Sequence, residues 1–268
     1  MEYDLLTSKY LKLGISVPSR DMIKTKEQIA GIREAGIVNT AVLDEVERSI
    51  HAGMTTQDID DIVSRKTKEL GGICAPLGYE GFPKSVCTSI NDQVCHGIPD
   101  SKVILKNGDI INVDCTTIYK GYYADASRMF LIGQVDTTAR KLVEVCKESL
   151  DLAVRELKPF SRLRDIGYMI EQYVKKFGFS VVHEIGGHGV GIAFHEDPFI
   201  YHYGKKNTGM VLFPGMIFTI EPMINEGSRH VFLDADNNWT IYTDDGGWSS
   251  QFEYTVLITQ TGVEILSH

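Results

Sequence analysis

The sequence predicts an α+β fold built from a repeated helix–helix–strand unit, on three observations. The run Ile110–Phe130, IINVDCTTIYKGYYADASRMF, holds two β-rich stretches joined at Lys120-Gly121, a pair suited to a tight turn. Asp58-Ile59 through Leu70-Gly71 lies over Asp165-Ile166 through Phe177-Gly178 at a constant offset of 107. In each copy a long helix, a short break, a second helix and a glycine lead into β structure. The last third is a series of short apolar runs separated by glycine-bearing segments. All amphipathic helices share one period, so the match between copies is open to chance as well as to duplication. Duplication implies a cleft between halves, where a site would lie.

Composition narrows the function classes. With 268 residues, 43% hydrophobic and 24% charged, the chain can bury a substantial core as one large domain or two fused halves. A net charge of −9 without a Lys/Arg run argues against a nucleic-acid surface and suits a protein that gathers carboxylates around cations. No apolar run approaches the roughly 18 residues that span a bilayer. The N-terminus, MEYDLLTSKYLKLG, carries Glu2 and Asp4 where a secretory signal would be basic. Cys74, Cys87, Cys95, Cys115 and Cys146 make an odd set without a C-x-x-C pair, which disfavours a disulfide framework and a structural zinc site. A cytoplasmic protein with no membrane or nucleic-acid partner is expected.

Residues 1–24 lack sustained periodicity and break at Pro18-Ser19, as an extension packed along the surface or partly disordered would. Thr25-Lys26-Glu27-Gln28 is a capping box for a helix with Ile29, Ile32, Gly36, Leu43, Val46 and Ile50 on one face and Asn39 as the exception. A second helix starts near Thr56, turns Ile59, Ile62, Val63 and Leu70 inward, and ends at Gly71-Gly72. A loop over 75–83 precedes strands at Ser85–Ile90 and Asp92–His96, and then the hairpin. Helices follow at Thr137–Leu157 and about Ser161–Phe177, stopped by Pro159 and Gly178. Strands are expected at Ser180–Glu184, Met210–Leu212, Met216–Ile224, Trp239–Tyr242 and Gln251–Ile258, with loops at Gly186–Gly191 and Asp244–Gly247. A single domain over 25–268 is expected, its halves about 25–135 and 136–268.

Each strand of the hairpin carries one carboxylate. If Lys120 and Gly121 form a two-residue turn, Asp125 lies opposite Thr116, on the same face as Asp114. Two crowded carboxylates repel each other, so the face is either wet or holds a cation. Three further positions bear on that choice. His188 sits in HEIGGHGVGIAFHEDP, where glycines allow close approach, and Glu221 (MIFTIEPMI) and Glu253 (SSQFEYTVLI) sit mid-strand among apolar neighbours. Singly, each suits a structural or solvated role. Together with Asp114 and Asp125 they supply four carboxylates and one imidazole, a set suited to hard or borderline divalent ions and to a pair of ions that activates water.

The ordered motifs VCHGIP, NVDCTTIYKGYYAD, GGHGVGIAFHEDP, FTIEPMI and SQFEYT resemble those of type I methionine aminopeptidases, over nearly the whole chain from about Ile23. The resemblance implies the pita-bread fold, two pseudo-symmetric halves with antiparallel sheet, helices outside and a metal site in the central cleft. It implies two divalent ions, with Asp114 chelating one, His188 and Glu221 the other, and Asp125 and Glu253 bridging both. Glu221 would also shuttle the proton, while His96 and His195 contact substrate around the scissile amide. Tyr79, Phe82, Cys87, Phe194 and Trp239 fall where the family lines its methionine pocket. Aromatics and a polarisable cysteine suit a thioether, although in a β-rich half they serve a core equally well. Cobalt, manganese, iron and zinc all remain open as the metal.

The implied substrates are N-termini of nascent polypeptides with a small second residue; a monomer is expected, and contact with the ribosome is left open. Pro76 and Tyr254 depart from the family pattern, which often has cysteine and histidine there, and bear on the pocket rim and on support of the ligands. The 31 residues between Glu221 and Glu253 are too few for the type II insertion, and 24 N-terminal residues are too short for a prolidase N-terminal domain. Other readings are an Xaa-Pro peptidase of the same fold and a metal-free binding protein.

Overall fold

Side-chain caps set three helix starts in the computed structural model, which describes residues 2–268. Helix α1 covers Glu2–Lys12, α2 Lys26–Ser49 and α3 Thr56–Glu69. Thr25 with Gln28 and Thr55 with Asp58 form reciprocal capping boxes for α2 and α3. Strands β1 (Ile73–Cys74), β2 (Cys87–Ile90), β3 (Gln93–Cys95), β4 (Ile110–Tyr119) and β5 (Tyr122–Leu131) follow. Helix α4 (Thr137–Glu156) is capped by Asp136, and α5 (Leu163–Val174) runs into a 3₁₀ turn at Lys175–Phe177. The remainder is β6 (Ser180–Val181), β7 (Gly187–Gly189), β8 (Glu196–Ile200), β9 (Ile217–Ile220), β10 (Met223–Asn225), β11 (Val231–Leu233), β12 (Ile241–Thr243), β13 (Ser249–Gln251), β14 (Glu253–Ile258) and β15 (Val263–Ser267).

The offset of 107 relates more than helices. α2 ends at Ser49 and α4 at Glu156; α3 begins at Thr56 and α5 at Leu163; β4 begins at Ile110 and β9 at Ile217. Under the same offset Asp114 falls on Glu221. Chance similarity between amphipathic helices gives no reason for strands to align as well, so the structure favours duplication.

One nine-stranded sheet runs in the order β1-β4-β5-β14-β9-β7-β8, with β2 on β4 and β15 on β14. Lys120 and Gly121 take φ of 50° and 85°, as a two-residue hairpin turn with both residues left-handed requires. Asp125 lies opposite Thr116 and Asp114 opposite Ser127. Strand β14 joins the halves, with Glu253 opposite Ser127 and Thr255 opposite Thr219. Gly189 of β7 pairs with Phe218 of β9. Counting alternate residues across these pairs puts Asp114, Asp125, His188, Glu221 and Glu253 on one face. The opposite face is apolar and carries the helices. Val113, Cys115 and Ala126 pack on Val42, Leu43 and Val46 of α2, while Phe218, Ile220 and Val256 join a cluster with Leu142, Cys146 and Leu150 of α4.

Several expectations change. Helix α1 forms where no periodicity was evident, because Tyr3, Leu6 and Tyr10 pack onto the larger core cluster and both tyrosine rings meet Phe213; Met1 lies outside the described residues. Met216–Ile224 is two strands, since Pro222 offers no N–H to continue a ladder. Gln251–Ile258 likewise divides at Phe252: β13 and β10 pair in a separate three-stranded sheet with β6, while β14 and β9 stay in the large one. Met210–Leu212 makes only an isolated bridge, Arg162 to Val211, and Gly186–Gly191 contains β7 instead of being all loop. All five cysteines are free, and no helix among the described residues is long and apolar enough to cross a membrane.

Asn39, the polar exception in α2, is fully buried. Its amide donates to the Cys115 carbonyl (2.8 Å) and to Ser267 Oγ (3.0 Å), and its oxygen accepts from Thr117 (2.7 Å). It thereby ties α2 to β4 and to the C-terminal strand. Asn39→Ala should lower unfolding free energy by about 2–3 kcal/mol, because it leaves buried partners unpaired. Urea denaturation checks this, and a change below 1 kcal/mol would contradict the role.

Candidate metal centre

The two aspartates enter the site from the hairpin and the other three residues from the second half. Asp125 is held from both sides: Thr116 donates to its Oδ1 (2.8 Å), and its backbone exchanges bonds with the Thr255 hydroxyl (3.1 and 2.7 Å). Glu221 directly follows β9, where its amide donates to buried His202 (3.0 Å) and its two carboxylate oxygens accept from Thr219 (2.7 Å) and Gln251 (3.1 Å). His188 is placed by the bond from its amide to Thr219 Oγ1 (3.0 Å). The glycines around it admit neighbouring strands: a Cβ on Gly187 would lie 2.5 Å from the Thr219 carbonyl oxygen, and one on Gly189 2.2 Å from that of Asp197.

The ring of His188 shows what the centre is suited to bind. Its Nδ1 lies 3.0 Å from the Gly189 carbonyl, which can only accept, so Nδ1 carries the proton and Nε2 presents a lone pair. That lone pair faces Asp125 Oδ2 at 3.8 Å and Glu221 Oε1 at 3.7 Å, too far for a hydrogen bond. Asp125, His188 and Glu253 offer donor atoms all within 4.8 Å of one another, and Oε1 of Glu253, whose residue is 1% exposed, has no hydrogen-bond partner. Acceptors converging this way, with Glu253 Oε1 and the His188 lone pair left without a donor, fit a divalent cation, and the oxygen-rich set suits hard or borderline ions. In the metal-free protein, burial raises Asp114 to about 7 and Glu221 to about 8. Burial and then neighbouring carboxylates push Asp125 and Glu253 well above the usual range.

A cavity of about 710 Å³ opens over this face. All twelve residues singled out from the sequence line it: the five acceptors, His96, His195, Tyr79, Phe82, Cys87, Phe194 and Trp239. Phe82 meets Trp239 edge-on at 5.1 Å, and Tyr79 lies 4.8 Å from Phe194. Cys87 sits opposite Asp114 across β2 and β4. Burial holds His96 down near 4, so its ring is neutral at pH 7, and its backbone takes a left-handed φ of 56°. His195 is exposed, lies 4.2 Å from the His188 ring, and contacts the Tyr79 hydroxyl through Nδ1 at 3.0 Å.

Sequence reasoning missed the supporting groups. Thr116, Thr219, Gln251 and Thr255 each stand two residues from a ligand candidate or its opposite number, and the period of 2 could have found them. His202 gave no local signal. Of the two departures from the family pattern, Pro76 lines the cavity. Tyr254 points to the other face, where its hydroxyl bonds Asp151 of α4 (3.0 Å), so it supports the helix and not the ligands.

Fold and site together define a metallopeptidase with an antiparallel sheet and its site on the concave, helix-free face. Residues 30–260 match the family described as Metallopeptidase family M24, and the chain belongs to it. It is 48% identical over 243 residues to methionine aminopeptidase A of Synechocystis sp., covering 91% of this chain and 96% of that protein. The crystal structure of methionine aminopeptidase from Rickettsia prowazekii matches with a TM-score of 0.90 at 41% identity, over 92% of this chain and 99% of that one. The fold is the pita-bread fold expected. Prolidase from Pyrococcus furiosus shares it at a TM-score of 0.72 and 25% identity, and the present chain spans 65% of that protein.

The carboxylates set a pH dependence in the metal-free protein. Groups with raised folded-state pKa contribute stability that is full at low pH and is lost as pH rises through the folded value, here about 7 to 8. His96 and His188, held down near 4, act in the opposite direction only below their ordinary 6.5. Between about pH 6.5 and 8.5 the melting temperature of chelator-treated protein should therefore fall, and divalent metal should abolish the fall. A rising or flat metal-free profile in thermal melts would count against the buried carboxylate cluster.

Proposed function

We propose that the protein removes the N-terminal (initiator) methionine from nascent proteins and peptides with a small second residue, using two divalent ions held by Asp114, Asp125, His188, Glu221 and Glu253. The observation that carries this is the cavity. It joins a carboxylate-rich polar floor to a wall of aromatics and one thiol, in a chain closely similar over its length to methionine aminopeptidases. The five acceptors accommodate cobalt, manganese, iron or zinc.

A divalent ion bound there lowers the pKa of water and polarises a carbonyl. The chain's own residues do the rest. Glu221, whose carboxylate is oriented by Thr219 and Gln251, takes the proton from the attacking water and passes one to the leaving amine. With the Tyr79 hydroxyl donating to Nδ1 of His195, its Nε2 carries a proton that can stabilise the oxyanion developing on the scissile carbonyl. His96, neutral and fixed by its backbone, holds the scissile amide or its leaving nitrogen. Tyr79, Phe82, Cys87, Phe194 and Trp239 enclose the methionine side chain, whose sulfur gains from ring-edge contacts. Residues 25–268 are the catalytic domain and 1–24 an extension. The protein works as a monomer in the cytoplasm, meeting N-termini as they leave the ribosome.

Metal-replete protein should release methionine from a Met-Ala-Ser peptide, leave an Ala-Pro peptide intact, and lose activity to a chelator. Release undiminished by the chelator would overturn the proposal. Asp114→Asn should retain less divalent metal after desalting, read by elemental analysis. His195→Ala should keep the metal and lose on the order of a hundredfold in kcat, as removal of an oxyanion donor does.

A further inference from the structure

The loop that carries His195 is closed by a carboxylate that plays no part in the metal set. Glu196 begins β8 and pairs with Gly189 of β7 across the loop. Its Oε1 accepts from the amides of both Ile192 (2.7 Å) and Ala193 (3.0 Å), the two exposed residues at the loop's tip. The other end of the loop is fixed where Tyr123 of β5 donates to the Gly191 carbonyl (2.9 Å). The second oxygen of Glu196 accepts from Nζ of Lys24.

Lys24 is an unusual place for a charge. Its side chain is 3% exposed and that of Glu196 18%, so the ammonium is almost wholly withdrawn from water. Its position is set independently of the loop: its amide donates to the Gly215 carbonyl (2.9 Å), and Ile23 bridges to Met216 just before β9. A buried ammonium needs a partner, and a carboxylate that must stay beside it cannot drift with the loop. We propose that Lys24 is a positioning residue for the reaction: through Glu196 it locks the 191–196 loop and so holds His195 over the metal centre. The inference rests on the role of His195 given above. It assigns the residue just before α2, at the end of the N-terminal segment, a function in turnover as well as in packing.

His195 would act on the oxyanion and not on the bound ground state, so loosening it lowers kcat while leaving KM nearly unchanged. Lys24→Met should lower kcat by on the order of tenfold with little change in KM. Placed on a His195→Ala background, the same substitution should cause no further loss, because the two act through one group. Bound metal and melting temperature are recorded for each variant. If Lys24→Met fails to fold, Glu196→Gln takes its place in the cycle: it keeps an acceptor for the loop amides, removes the charge from Lys24's partner, and should show the same dependence on His195. An unchanged kcat in the single variant, or an equal loss with and without His195, overturns the proposal while leaving the role of His195 intact. Normal turnover by His195→Ala itself overturns both.

Discussion

Four carboxylates and an imidazole lone pair share one face of the sheet, and their mutual repulsion in a buried place is the constraint on which the rest of the structure bears. No protein donor bonds Glu253 Oε1, and the lone pair on His188 Nε2 faces carboxylate oxygens, an arrangement that a divalent cation would relieve. The apolar face of the same sheet packs on α2 and α4, which leaves the acids on the opposite face. Stability and function are thus divided between the two faces of one layer, at the expense of strong charge crowding when metal is absent.

The two halves supply the acids differently. Asp114 and Asp125 lie inside long, regular strands, where pairing with β2 and with each other leaves little freedom. Their counterparts sit where the chain changes sheets: Glu221 just before Pro222, and Glu253 just after Phe252. The ladder bonds lost at those corners are replaced by side chains, with His202 accepting from the Glu221 amide and Gln251 holding its carboxylate. In the proposed mechanism the proton-carrying glutamate is thus held by side-chain bonds next to a strand end, while the aspartates lie mid-strand. Duplication supplied equivalent positions, and the corner in the second copy made one of them chemically distinct.

The cavity-lining aromatic groups and His195 come from loops tied to distant anchors. His195 and Phe194 ride on the turn between β7 and β8, Tyr79 and Phe82 on the segment before β2, and Trp239 on the approach to β12. Ring contacts bind them to one another across the cavity, as with Tyr79 on Phe194 and His195. The N-terminal segment contributes from outside through Lys24, so the wall of the site depends on residues that precede the first helix of the repeat.

Much of this was legible before any coordinates. The capping box at Thr25 marks a helix start, and the Lys120-Gly121 turn with a period of 2 places Asp114 and Asp125 on one face. Such signals are local: they depend on neighbours two to four residues away and survive without knowledge of the fold. The motif resemblance then named every residue lining the cavity that was singled out, though not the bonds that orient them. Helix α1 escaped notice because its order comes from Phe213, some two hundred residues away, and not from its own periodicity. The breaks at Pro222 and Phe252 were read through as continuous strands, since apolar pattern does not say which sheet a strand joins. Only the tertiary structure decided that β14 lies between β5 and β9, that His202 meets Glu221 and that Lys24 meets Glu196. Those contacts are fixed by the packing of distant segments, for which the local order of residues carries no signal.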